Sequence, residues 1–148
     1  GTRAILDLAL RWDKGPVLMK DISHRQNITF KYLGQLFLLL KTSGLIKGQR
    51  GSNGGYSLTR HPKDITLLEV FESLEGPLKL TECVTDEACC SKTEICAPHE
   101  IWKEARDMIY NFFNKITLED LVKKHFEMGK YSCKNNCDEL YKGEEKNG

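Results

Sequence analysis

The stretch from Leu45 to Thr59 limits what this chain can fold into more than any other part of it. Leu45–Gln49 reads as a strand, Arg50-Gly51-Ser52-Asn53-Gly54-Gly55 as a basic tip, and Tyr56–Thr59 as the returning strand. Glycines at the tip permit positive φ and close backbone approach. Everything before the hairpin is helical in pattern. Ile5, Leu6, Ala9 and Leu10 share one face of Thr2–Trp12, which reads as the remainder of a longer first helix ended by Gly15-Pro16. A short second helix is expected over Lys20–Gln26, with Ile22 inward and His24 at the surface. Thr29 is a good N-cap for a third. Leu33, Leu36, Phe37 and Leu40 then repeat at i, i+3, i+4 and i+7, and Gly44 supplies the stop.

Helix, short helix, third helix and basic hairpin is the order of a winged helix-turn-helix. The fold class expected is therefore mainly α with a small β-hairpin wing. In that arrangement the third helix enters the major groove, and the wing lies against phosphate or in the minor groove. The first turn of the third helix offers Phe30, Lys31, Tyr32 and Gln35, and types of this kind can reach phosphates and base edges. Charge is divided in the same sense. Residues 1–62 carry ten Lys and Arg against three Asp, and residues 63–148 carry twelve Lys and Arg against eighteen Asp and Glu. A basic first half suits a polyanion, although a solvated lysine-rich surface has the same composition. Gly54-Gly55 is not a nucleotide loop, because no lysine follows it and no parallel βαβ pattern surrounds it.

Beyond the hairpin, Thr66–Glu75 reads as a fourth helix. Thr66 and Glu69 form a capping box, Leu67, Val70, Phe71 and Leu74 form the apolar stripe, and Gly76-Pro77 form the stop. A long helix over about Pro98–Lys115 is marked by Ile101, Ala105, Met108, Ile109, Phe112 and Ile116. Trp102 and Phe113 widen its apolar face beyond what one small domain needs. That surplus points to a dimerisation helix, or to packing back on the first helix, or to both. Thr117–His125 reads as a short last helix capped by Thr117 with Asp120, and the chain beyond Gly129 as a mobile tail. The expected organisation is a winged domain at 1–77, a cysteine-rich loop at 78–99, a dimerisation helix and short helix at 100–128, and a tail at 129–148. The longest apolar run, Leu36–Leu40, is far too short to span a bilayer.

Cysteines gather in the loop: Cys83, Cys89, Cys90 and Cys96, with His99 close behind. No secretion signal is visible, so a reducing, cytoplasmic setting is expected, where thiols are more often ligands or reactive groups than cross-links. Three thiolates and an imidazole make a soft donor set suited to zinc or to an iron–sulfur cluster. A thiol redox switch and inert cysteines remain open alternatives. A catalytic Cys–His pair is disfavoured, since nucleophilic catalysis needs a pocket that positions a base, and an enzyme is not expected. Cys133 and Cys137, in the tail, read as spare thiols.

Several motifs together resemble a family. Ile28-Thr29, Tyr32-Leu33, Gln35-Leu36, Gly44-Leu45, Arg50-Gly51, Gly54-Gly55-Tyr56, Ile65-Thr66 and Glu75-Gly76-Pro77 resemble the winged-helix regulators of the IscR, NsrR and CymR type, the Rrf-two family. Ile101-Trp102 and the run Ile116–Leu121 are similar to that family's dimerisation helix and its end. Gly34 departs from the pattern, which often has a polar residue there. The resemblance implies a cytoplasmic homodimeric transcriptional regulator, in the reading taken here a repressor, that binds near-palindromic double-stranded DNA. Thr29, Lys31, Tyr32 and Gln35 would engage the major groove, with Arg50, Ser52, Asn53, Gly54 and Gly55 in the wing contact. In the family's cluster-binding branch three cysteines are spaced by five residues, and a histidine can follow the third after two. Here Cys83, Cys96 and His99 fit, with either Cys89 or Cys90 as the central ligand. Such gaps suit a 2Fe–2S centre better than a compact zinc site, which stays the alternative. A histidine in place of one thiolate would make the centre easier to reduce or lose, as suits a sensor of iron–sulfur status, nitric oxide or redox state. Two rivals are a cluster-free regulator controlled by thiols or a partner protein, and a zinc-stabilised interaction module.

Overall fold

The structure, a computed structural model, describes residues 1–51, 54–92 and 95–132. Seven α-helices and one hairpin make up its named elements. They are α1 (Thr2–Ala9), α2 (Met19–Gln26), α3 (Phe30–Thr42), β1 (Ile46–Gln49), β2 (Gly55–Leu58), α4 (Leu67–Glu75), α5 (Glu82–Thr85), α6 (Ala97–Lys115) and α7 (Leu118–Ser132). Short 3-10 turns occupy Trp12–Lys14, Pro62–Asp64 and Glu87–Cys89. This is the helical, hairpin-bearing winged architecture expected from the element order. Among the described residues, no helix is long and apolar enough to cross a membrane.

One core joins the elements. Ala4, Ile5 and Leu8 of α1 meet Ile22 of α2, Leu33, Phe37 and Leu40 of α3, and Leu45, Ile46 and Leu58 at the base of the hairpin. The α3 stripe is buried as its periodicity requires, with Leu36 included. Between α2 and α3 the turn is made by Asn27 at φ 51°, a left-handed value that asparagine tolerates. The Ser23 hydroxyl closes this turn by donating to the Ile28 carbonyl at 2.6 Å.

The hairpin pairs antiparallel, Ile46 with Leu58 through Gln49 with Gly55. A third segment joins it. Val17 and Tyr56 exchange both backbone hydrogen bonds, at 2.8 Å each. The wing is thereby fastened to the turn after α1. Gly54 and Gly55 are required by this fit. A Cβ on Gly54 would lie 2.5 Å from the Gln49 carbonyl oxygen, and one on Gly55, at φ 148°, would lie 2.6 Å from that of Val17.

Both sequence-read caps form. Thr66 accepts from the Glu69 N–H while the Glu69 carboxylate accepts from the Thr66 N–H at 2.9 Å. Thr117 and Asp120 make the same reciprocal pair at the start of α7. Two expectations need correction. In α4, Leu68 is buried with Val70, while Leu67, Phe71 and Leu74 are only half-buried, because the core lies to one side of the expected stripe. The last helix runs past His125 and Gly129 to Ser132, since one glycine does not end a helix that still makes backbone bonds. The part of the tail from 133 on, with Cys133 and Cys137, lies outside the described residues. The C-terminal helices pack back on the winged domain. The Leu67 N–H donates to the Ile116 carbonyl at 2.7 Å and the Leu118 N–H to that of Ile65 at 2.9 Å. Leu118 is fully buried, and α7 packs on α1 while α6 packs on α4.

Candidate functional site

Two regions carry the expected chemistry, and α3 leads the first. The Thr29 hydroxyl accepts from the Tyr32 N–H at 3.4 Å and caps the helix. Thr29, Lys31, Tyr32 and Gln35 are all exposed. They lie opposite or beside the buried stripe, so the core holds the helix and leaves this face to solvent. Phe37, on the buried side, meets the Tyr56 ring edge-on at 4.7 Å between centroids. That contact sets the wing against α3. At the wing, Arg50 and Gly51 are exposed, whereas Gly54 is buried and its N–H is taken by the Gly51 carbonyl at 3.0 Å. Ser52 and Asn53 lie outside the described residues.

A residue the sequence reading missed holds the module together from behind. Asp7 of α1 is 1% exposed. One carboxylate oxygen accepts from Arg25 at 2.7 Å and Arg11 at 3.2 Å, the other from Arg25 at 3.0 Å and Gln26 at 2.9 Å. Burial alone would raise its pKa, but the Arg25 and Gln26 hydrogen bonds and the Arg11 and Arg25 charges hold it below the usual carboxylate value. An aspartate in the otherwise apolar run Ala4–Leu10 was the available signal. Its partners, 18 and 19 positions away, were not legible.

The second region is the cysteine segment, which spans the space between α4 and α6. Cys83 sits in α5, with its sulfur 3.4 Å from the Thr81 hydroxyl. Cys89 ends a 3-10 turn, Cys90 follows it, and Cys96 is the N-cap of α6. All four are free thiols, with Cys89 exposed and the other three half-buried. Desolvation, then the negative charge of Cys83 when ionised, of Asp86, of Cys90 when ionised and of Glu82, pushes the Cys89 thiol above its ordinary value. His99, in the first turn of α6, is 5% exposed, and its Nδ1 has no hydrogen-bond partner among the described residues. Among the described residues no three His, Cys, Asp or Glu side chains are placed to hold a metal ion. The segment therefore fits a soft metal centre in donor chemistry and in its orphaned buried nitrogen, while the donors do not converge in this conformation. Arg106 of α6 ties the segment down by donating to the Val84 carbonyl at 2.7 Å.

The long helix splits its apolar residues between two faces. Ile109, Phe113 and Ile116 are partly covered, with Phe113 5.6 Å from Phe71 between ring centroids. Ile101, Met108 and Phe112 are 63%, 67% and 61% exposed. With Ala105 they form a straight outward stripe at i, i+4, i+7 and i+11.

Residues 1–124 match the family model described as "Rrf2: Iron-dependent Transcriptional regulator". The chain is similar to the protein rrf2 of Nitratidesulfovibrio vulgaris, 36% identical over 133 residues that cover 90% of this chain and 89% of that one. It is similar to the HTH-type transcriptional regulator IscR of Pectobacterium atrosepticum, 39% identical over 119 residues that cover 80% of this chain and 72% of the relative. Among solved structures it is similar to T. potens IscR, with a TM-score of 0.70 and 33% identity over 85% of this chain and 82% of that chain. It is also similar to CymR, the global cysteine regulator of B. subtilis, with a TM-score of 0.69 and 33% identity over 81% of this chain and 88% of that chain.

Proposed function

The chain belongs to the Rrf2 family of transcriptional regulators, and from that premise we propose that it acts as a homodimer on near-palindromic DNA and adjusts its grip through an iron–sulfur cluster held by Cys83–His99. It is a regulator and not an enzyme, as its relatives are. One observation carries the cluster reading. Four free cysteines, and a buried histidine nitrogen with no hydrogen-bond partner among the described residues, share the segment that links the winged domain to the long helix.

Cys83, Cys96 and His99 would be ligands, completed by Cys90 in preference to Cys89. Cys90 is half-buried as Cys83 and Cys96 are, whereas Cys89 faces water. When bound, a 2Fe–2S centre supplies a redox couple and bonds that can be lost. The residues do the rest. Cys83 lies on α5, and Cys96 and His99 lie at the start of α6, so holding them at one centre would shift α5 against α6. Arg106, bonded from α6 to the Val84 carbonyl on α5, would carry that shift into α6. The outward stripe of α6 faces a second copy, so the shift alters the spacing of the two α3 helices. Half-sites are then about one helical turn apart or a multiple of it. A coupling of about 1–3 kcal/mol is the usual size of such a switch. Thr29, Lys31, Tyr32 and Gln35 meet the major groove, with Arg50 through Gly55 at the wing.

Anaerobic reconstitution tests this. Iron, acid-labile sulfide and visible charge-transfer absorption should appear together, and loaded and stripped protein should differ in DNA affinity. Equal affinity in the two forms refutes sensing by the cluster. A second reading has its own support: the donors do not converge among the described residues, and one similar structure is a cysteine regulator. Here the regulator has no cluster and responds through its thiols or a partner. Colourless protein that still binds DNA and responds to oxidant would favour it. Zinc without sulfide, and no DNA binding, would favour a zinc-stabilised module.

A further inference from the structure

Phe30 has no part in the contacts assigned so far. It is the first residue of α3, directly after the Thr29 cap, and it is 55% exposed. The core stripe of α3 is Leu33, Leu36, Phe37 and Leu40, and Phe30 is not buried with it. A phenyl ring left in water at the mouth of a basic reading head is unfavourable by itself, and it has no hydrogen bond to offer a phosphate or a base. Lys31, Tyr32 and Gln35 beside it all have polar atoms. One turn further along the same flank is Gly34. A Cβ built there would meet nothing within 4 Å among the described residues. The surface next to the ring is thus an open notch.

The first residues of a recognition helix meet base edges in the major groove. Every base pair presents donors and acceptors there, and the one apolar group is the C5-methyl of thymine. We propose that Phe30 is a specificity-determining residue, its ring packing on the C5-methyl of one thymine in each half-site in the notch beside Gly34. The inference rests on the DNA-binding reading of α3. It assigns the ring a shape-selective role that the polar residues around it cannot perform.

The probe is a duplex enriched by the wild-type protein from a randomised pool at fixed salt. Each thymine is replaced in turn by deoxyuridine, which removes the methyl and leaves every hydrogen-bonding group. At one symmetry-related position the replacement should weaken wild-type binding about fourfold per half-site, the size expected for burying one methyl. Phe30→Ala should bind the thymine and deoxyuridine duplexes equally at that position and keep the wild-type salt slope. Phe30→Leu should keep part of the discrimination, and a wild-type melting curve for both variants shows that α3 is intact. If the wild type enriches one sequence but tolerates deoxyuridine everywhere, the methyl contact is wrong and the DNA reading stands. If Phe30→Ala weakens both duplexes alike while the wild type discriminates, another residue reads the methyl and the assignment to Phe30 fails. If no duplex is enriched, the reading of α3 fails and this inference falls with it.

Discussion

Replacing Asp7 by asparagine keeps the shape of the side chain and removes its charge. The carboxylate accepts four hydrogen bonds, three of them from guanidinium groups, and ties α1 to α2. In the variant one oxygen becomes a donor that faces cations, and Arg25 loses its two-pronged partner. Removing one member of a fully buried pair costs about 3–5 kcal/mol. The side chains of Arg11 and Arg25 are 28% and 31% exposed, so water recovers part of that loss. A cost of about 2–3 kcal/mol is expected, near the value of a hydrogen bond to a charged group. For a chain of this size that is a fall of about 4–12 °C in Tm. Acid sharpens the test. Asp7 has its pKa lowered in the fold, so its stabilisation is fully present above the unfolded carboxylate value and is lost as pH falls through the folded one. The gap between wild type and Asp7→Asn should therefore narrow in acid. Thermal unfolding followed by circular dichroism at pH 7 and through the acid range measures both effects. A difference under about 0.5 kcal/mol at pH 7, the size of an ordinary surface change, or a gap that does not narrow in acid, would show that Asp7 is not the tie described.

Three further outcomes are expected. Phe112→Glu places a charge in the outward stripe of α6, where the ring is 61% exposed. Covering the ring on both copies is worth about 2–4 kcal/mol, so sedimentation should show the dimer weakened by a factor of roughly 30 to 1,000; an unchanged dissociation constant would remove the stripe from the interface. Gly34→Ala meets no neighbour within 4 Å and sits inside a helix, so chemical denaturation should show a gain of about 0.5–1 kcal/mol. Gly55→Ala drives a Cβ to 2.6 Å from the Val17 carbonyl oxygen at a positive φ. A loss of about 1–3 kcal/mol is expected, with faster amide exchange at Val17 and Tyr56, and a wild-type exchange rate would contradict the close fit.

The local part of the fold was legible because it depends on neighbours three or four positions apart. Helix spacing located the α3 stripe, and the pairs Thr66–Glu69 and Thr117–Asp120 announced their helix starts, since a cap needs only its own first turn. Gly15, Gly44 and Gly76 all take positive φ where the stops were read. The exposed face at Thr29, Lys31, Tyr32 and Gln35 followed from the same periodicity, as the complement of a buried stripe. The cysteine pattern was visible as chemistry and spacing, but spacing along a loop does not decide where sulfur atoms lie in space.

Contacts made by distant returns of the chain were decided only by the tertiary structure. Asp7 meets Arg25 and Gln26 because α2 folds back across α1, and no local signal names those partners. Gly54 and Gly55 read in sequence as a tip that permits close backbone approach, and only the fold shows that Gln49 and Val17 are the backbones that come close. The long helix showed one broad apolar face in sequence. Packing on α4 uses one side of it and leaves Ile101, Met108 and Phe112 in water. Dihedral preference and helical period act within a turn or two and can be read along the chain. Which surfaces are covered depends on the paths of segments far apart in sequence, and those are set only when the core closes.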